Sequence, residues 1–172
     1  MNESVLNHPL VRLARDAIAA HLSGSSLPVK GALDIAGEAA GVFVSLKKSG
    51  KLRGCIGTIE PVKPTIDQEV ADNAVAAATR DPRFTPVTLE ELDDITISVD
   101  VLSKPEAISN VKELDPLKYG VIVRSGHRKG VLLPDLPGIT TADEQVRIAS
   151  QKAGIGEGEP VELMRFEVKR HK

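Results

Sequence analysis

The densest group of chemically capable residues is Lys51-Leu52-Arg53-Gly54-Cys55-Ile56-Gly57-Thr58. It holds the chain's single cysteine, with glycines near it on both sides and an arginine two residues before it. A guanidinium beside a thiol favours the thiolate and lowers its pKa, which would make Cys55 a nucleophile or a ligand. On a regular strand, Arg53, Cys55 and Gly57 share one face, and Leu52, Gly54 and Ile56 share the other. Glycine inside a strand costs stability, so two of them imply close backbone approach or an irregular turn. The segment thus predicts Cys55 and Arg53 as a catalytic pair, with Gly54, Ile56 and Gly57 against a substrate. The competing reading is that a lone cysteine packs inertly, since free cysteine is among the most buried residue types.

Asp81-Pro82-Arg83-Phe84 is the second candidate. It places an acid, a base and an aromatic ring on a stiff turn. Arg83 would hold a carboxylate or phosphate through its planar fork. Alternatively, Asp81 and Arg83 pair locally where a helix stops before proline. His127 falls at a predicted hairpin tip, as a solvated residue or a remote general base. Arg128 and Lys129 beside it would suit an acidic partner, although charge runs are usually solvated faces. His21 sits on the apolar stripe of the first predicted helix and reads as a buried, hydrogen-bonded histidine. His8 and His171 lie near the ends of the sequence and are expected to be mobile. No two histidines stand at metal-ligand spacing, so no metal site is expected. No Ser/His/Asp elbow is recognisable.

These residues must be positioned by a modest set of elements. Leu10, Leu13, Ala14, Ala17 and Ile18 recur at helical spacing and predict a helix over 8–22. Residues 23–41 read as loop with a short helix. Val42–Leu46 and Leu52–Ile56 form a predicted hairpin through Gly50. Thr65 with Gln68 is a capping-box pattern that opens a helix ending at Asp81-Pro82. Thr88 with Glu91 suggests a capped turn. Ile95, Ile97, Val99 and Val101 alternate with Thr96, Ser98 and Asp100, which predicts a strand with one wetter face. Residues 103–118 read as a connector. A second hairpin spans 121–133, Thr141 with Glu144 caps a helix ending at Gly154, and 161–168 is a terminal strand. Hairpins outnumber βαβ units, so the expected class is α+β with a mostly antiparallel sheet flanked by helices. One domain over 8–168 is expected, with flexible termini at 1–7 and 169–172.

Composition narrows the function. The chain has 172 residues, enough to bury about 70% of its unfolded surface without disulfides or metals. Its net charge of −2 argues against a general nucleic-acid binder. Three Phe, one Tyr and no Trp leave no stacking platform for single strands. One cysteine excludes an internal disulfide framework and a cysteine-cluster site. No apolar run reaches the roughly 18 residues of a membrane span, and no signal pattern opens the sequence. A soluble cytoplasmic protein is expected.

Leu52-Arg53-Gly54-Cys55-Ile56-Gly57 resembles the signature of the AMMECR domain family. Agreement continues in order through Phe43-Val44, Asn73-Ala74, Asp81-Pro82-Arg83-Phe84, Glu91-Leu92, Val101-Leu102-Ser103, Lys118-Tyr119-Gly120-Val121-Ile122-Val123, Leu132-Leu133-Pro134 and Lys152-Ala153-Gly154. The resemblance implies an α+β fold in two unequal lobes with the hexapeptide facing a cleft between them. It carries over to Arg53, Gly54, Cys55, Ile56, Gly57, Asp81, Pro82, Arg83 and Phe84. It supplies no reaction and no cofactor. It does imply the company of a radical-SAM protein and a Memo-type protein in a modification pathway. Many relatives carry Trp and further aromatics after the Leu-Leu-Pro block, where this chain has Asp135-Leu136-Pro137-Gly138-Ile139-Thr140.

Two readings of function follow. In the first, the protein is an enzyme component that uses Cys55, with Arg53 tuning the thiol and Asp81, Arg83 and Phe84 on the substrate. In the second, it is a non-catalytic binding or adaptor protein whose motif is structural. Its partner would then be the radical-SAM or Memo-type protein, a peptide or a small acidic ligand.

Overall fold

The computed structural model describes residues 8–26 and 38–172. The region expected to hold a loop and short helix, 23–41, lies largely outside the described residues. The fold is α+β, and the described residues form three α-helices and antiparallel strand pairs. The chain divides into two compact units. One runs to Leu102 and takes in Lys169–Lys172; the other is Ser103–Val168.

In the first unit, α1 (Pro9–Leu22) starts with proline at its first position, where the missing N–H is no loss. The Nδ1 of His8 accepts the Leu10 N–H at 3.2 Å and caps the helix. β1 (Val42–Lys48) turns into β2 (Lys51–Thr58) through Ser49 and Gly50. Both have positive φ, 51° and 76°, as a tight two-residue hairpin requires. α2 (Ile66–Thr79) is capped by Thr65, whose hydroxyl accepts the Gln68 N–H at 3.4 Å. A short 3-10 helix, Glu90–Asp94, leads into β3 (Ile95–Leu102). The strands run in the order β2, β1, β3, with the end of β7 (Glu162–His171) next. Leu10, Ala14 and Ile18 of α1 and Val70, Ala74 and Ala77 of α2 pack on Val44, Leu46, Ile97 and Val99.

The elements expected of this unit outside 23–41 are present, with three differences. The buried stripe of α1 ends at Ile18, and His21 in the last turn is exposed rather than buried. Asp100, on the predicted wetter face of β3, is only 2% exposed. The terminal strand continues past Val168 to His171.

In the second unit, the expected connector contains a short strand, β4 (Glu106–Ile108), paired with β7. A single 3-10 turn, Val111–Glu113, follows. β5 (Tyr119–Ser125) pairs with β7 and with β6 (Arg128–Leu132). α3 (Ala142–Lys152) is capped by the Thr141 hydroxyl, which accepts the Glu144 N–H at 3.2 Å. Its core gathers Leu114, Val121, Val123, Leu132, Ala149 and Ile155.

Candidate functional site

β2 lies at the outer end of its strand order, and its pairing with β1 is not regular. Leu46 faces Gly54, but Lys47 faces Leu52, which leaves Arg53 as an extra residue in a bulge. The bulge breaks the predicted alternation. Arg53 does not accompany Cys55; its guanidinium grips Glu91 through Nε at 2.8 Å and Nη2 at 3.1 Å. Its Nη1 donates to the Thr85 carbonyl at 2.9 Å. Lys48 Nζ joins the same carboxylate at 3.2 Å. These cations, the Arg53 hydrogen bonds foremost, pull the Glu91 pKa down to about 2.

Cys55 is half-buried. Its thiol lies 3.2 Å from the hydroxyl of Ser45, its partner in register on β1. Ser98 stands opposite Ser45 on β3. Burial, the largest influence, pushes the Cys55 thiol above its ordinary pKa. The Ser45 hydrogen bond and the Arg83 charge act the other way, while Asp100 and Asp81 add to the rise. Arg53 was expected to activate the thiol, but the cation that acts on it is Arg83.

The peptide of Cys55 points outward from the β1–β2 pair, and Asp81-Pro82-Arg83 closes on it. Asp81 Oδ2 accepts the Cys55 N–H at 3.0 Å, and Arg83 Nη2 donates to the Cys55 carbonyl at 3.4 Å. Asp81 also accepts from the Arg83 backbone N–H at 3.1 Å, Nε at 3.0 Å and Nη2 at 2.7 Å. One donor and one acceptor thus stand where a neighbouring strand would be, which blunts an exposed edge. The Asp81 carboxyl is held well below the usual carboxylate range, first by the Arg83 side chain and then by the two backbone N–H groups, against its burial. The local Asp–Arg pair predicted from the turn is present, and the clamp on Cys55 is an added role. Arg83 is 55% exposed at its side chain. Its guanidinium lies 5.5 Å from the centre of the Phe84 ring.

The two glycines of the motif answer to packing. A Cβ at Gly54 would collide with the Ala77 carbonyl oxygen of α2. A Cβ at Gly57 would collide with the Phe43 ring, its partner in register. Ile56 packs against the core beneath α2. The expectation of close backbone approach therefore holds, with a helix and a ring as the approaching groups.

Several contributing residues were not picked out from sequence. Glu69, 1% exposed, accepts from Thr58 Oγ1 at 2.5 Å and from the Val62 and Lys63 N–H groups at 3.0 and 2.8 Å. Asn73 donates to the Val42 carbonyl at 3.0 Å and to Thr58 Oγ1 at 3.2 Å. Asp100 receives Arg170 Nε and Nη2, both at 2.8 Å. Only Asn73 carried a sequence signal, as part of the Asn73-Ala74 block. Serine at 45 is too common to single out, and Thr58 follows the hexapeptide with no sign of its bonds to Glu69 and Asn73.

Among the described residues no three His, Cys, Asp or Glu side chains gather as metal ligands. No helix among them is long and apolar enough to cross a membrane. In the second unit, His127 is exposed in the β5–β6 turn, and Arg128 beside it pairs with Glu159. The Arg165 guanidinium and Lys118 Nζ lie over the Tyr119 ring, 4.3 and 4.8 Å from its centre.

Residues 11–171 match the family described as AMMECR1. A protein of Thermotoga maritima is 58% identical over 135 residues, covering 77% of this chain and 78% of the relative. A protein of Clostridium acetobutylicum is 47% identical over 168 residues. Those residues are 95% of this chain but only 36% of the relative, so there the matching segment sits within a much longer polypeptide. The crystal structure of an uncharacterised protein from Pyrococcus horikoshii superposes with a TM-score of 0.84 at 32% identity, covering 94% of this chain and 88% of that one.

Proposed function

The chain belongs to the AMMECR1 family, and we propose that it acts as a non-catalytic binding component of an enzymatic modification pathway. Its partners in this reading are the radical-SAM and Memo-type proteins, and it works in the cytoplasm. The Leu52–Gly57 hexapeptide is the frame of its binding unit rather than a nucleophile. The observation that carries the reading is the commitment of Arg53 to Glu91 and the Thr85 carbonyl. A thiolate needs a stabilising cation; the residue placed by sequence to supply one is spent on Glu91, and the Arg83 charge that does act on the thiol is outweighed by burial. The Clostridium relative lends support, because a domain found within a longer chain suits work beside another module. Arg83, half-exposed above Phe84, is the group that would meet an acidic peptide or small acidic ligand.

The test is calorimetry of the purified chain against the radical-SAM and Memo-type proteins of the same genome, followed by turnover of the reconstituted set. The reading expects micromolar association and full turnover with Cys55→Ser. Absence of association would overturn it, as would a Cys55→Ser protein that binds normally but stops turnover. The second outcome would establish the alternative, a Cys55 nucleophile. That alternative draws on the Ser45 hydroxyl and the Arg83 charge, which both favour the thiolate.

A further inference from the structure

Two imidazoles close the first unit on itself. His8 and His171 stack with ring centres 3.8 Å apart and planes 25° from parallel. His8 belongs to the start of α1, and His171 is the last residue of β7. The contact has a second element, because the His8 N–H donates to the Lys172 carbonyl at 3.5 Å. It also has a third, since Nδ1 of His8 accepts the Leu10 N–H that opens α1. An imidazole accepts at Nδ1 only when that nitrogen carries no proton. The ring that caps the helix is thus the ring that holds the strand end.

We propose that the His8–His171 stack is an acid-labile clasp, closed while both rings are neutral and opened by proton uptake, which frees the end of β7 from the start of α1. A proton on His8 Nδ1 turns the acceptor into a donor facing the Leu10 N–H, and the cap is lost. A proton on each ring places two cations face to face at stacking distance. Both events act in one direction: the first loosens the start of α1 that carries the His8 ring, and the second loosens the stack itself.

The charged surroundings set the direction. From α1, His8 faces His171, and Arg12 lies one turn further with its N–H on the His8 carbonyl. On β7 itself Lys169 opposes a positive charge at His171. From β3, Asp100 favours that charge, but its two oxygens are occupied by Arg170. Burial outweighs Asp100, so His171 is held below the ordinary histidine pKa, with His8 and then Lys169 adding to the fall. A histidine whose folded pKa is lowered contributes stability that is fully present above its unfolded pKa, about 6.5. That contribution is lost as pH falls below this value toward the folded pKa. Arg170 stays tied to Asp100 through Nε and Nη2, both at 2.8 Å, so opening stays confined to His8, His171 and Lys172.

Hydrogen exchange read by mass spectrometry on the full chain tests the clasp at pH 7.5 and pH 5.5, with rates corrected for intrinsic exchange and α3 as internal reference. The expected result is at least a tenfold loss of protection at residues 10–12 and 169–171 at the lower pH, with α3 unchanged. His8→Asn keeps an acceptor at the cap but cannot take the proton, so the loss at residues 10–12 should disappear. His171→Phe keeps a ring in the stack without a titrating group, so the loss at 169–171 should shrink. Equal protection at both pH values in the unmodified chain would overturn the proposal. So would variants that show the unmodified pH dependence.

Discussion

The α2–β2 pair of the first unit and the α3–β6 pair of the second are built by the same devices. Each helix sits so close to its strand that one strand residue must be glycine. Gly54 lies under the Ala77 carbonyl, and Gly130 under the Ala149 carbonyl. Each unit also covers one strand glycine with a cross-strand ring, Phe43 over Gly57 and Phe166 over Gly120. Each helix sends one buried amide to a strand carbonyl, Asn73 to Val42 and Gln145 to Tyr119, at 3.0 and 2.8 Å. The second unit does this without any Arg-Gly-Cys segment. The glycines of the hexapeptide therefore belong to a general way of seating a helix on a strand. What distinguishes the first unit is the added polar framework: the Arg53 bulge with Glu91, the Asp81–Arg83 clamp, and Glu69 beneath the turn that follows β2. In the second unit the amide is less completely used, since Gln145 Oε1 is buried with no hydrogen-bond partner among the described residues.

The comparison predicts its largest effect at the two seats. Gly54→Ala and Gly130→Ala each press a methyl group onto a helix carbonyl that cannot rotate away. Both should cost about 3 kcal/mol in urea unfolding, at the upper end for overpacking. A tolerated Gly54→Ala beside a damaging Gly130→Ala would break the equivalence. The amides should differ next. Asn73→Leu strips two acceptors of their donor and should cost about 2 kcal/mol. Gln145→Leu removes an unpartnered oxygen along with its one bond, and should cost about half as much by the same denaturation.

Smaller effects separate the polar framework from plain surface pairs. Glu91→Gln should lose about 1–2 kcal/mol at pH 7, as expected for charged hydrogen bonds. The folded pKa of Glu91 is lowered, so its contribution is present above an unfolded value near 4.5 and fades as pH falls toward about 2. Urea midpoints between pH 6 and pH 2.5 should therefore fall less steeply for the variant than for the unmodified chain. Glu162→Gln is the smallest. Its partner Arg124 is 49% exposed, as on an ordinary surface pair, and the change should stay within about 0.5 kcal/mol.

Features fixed by local chemistry were legible in the sequence. Thr65 and Thr141 announce their helices because a hydroxyl cap acts within one turn. Ile95–Val101 announces β3 because alternation is a local pattern. Features fixed by a partner strand were not legible. The bulge at Arg53 depends on how β1 pairs with β2, and a one-residue slip turns the side chain away from the thiol. β4 has no alternation of its own and exists because Glu106 and Ile108 face Arg165 and Leu163. His171 reads as a tail residue because the ring it stacks on, His8, lies far away in sequence. Gly54 and Gly57 did signal close approach, but nothing in their spacing said that a helix and a ring were what approached.

The account rests most heavily on Cys55 being a packed thiol held within a clamp. The rate of alkylation of this single cysteine against pH, read by intact mass, tests that directly. The account predicts slow labelling of the folded chain with an apparent pKa above the ordinary thiol value of about 8.5, and prompt labelling once urea unfolds it. Rapid labelling of the folded chain below pH 8 would reveal a stabilised thiolate and contradict the account.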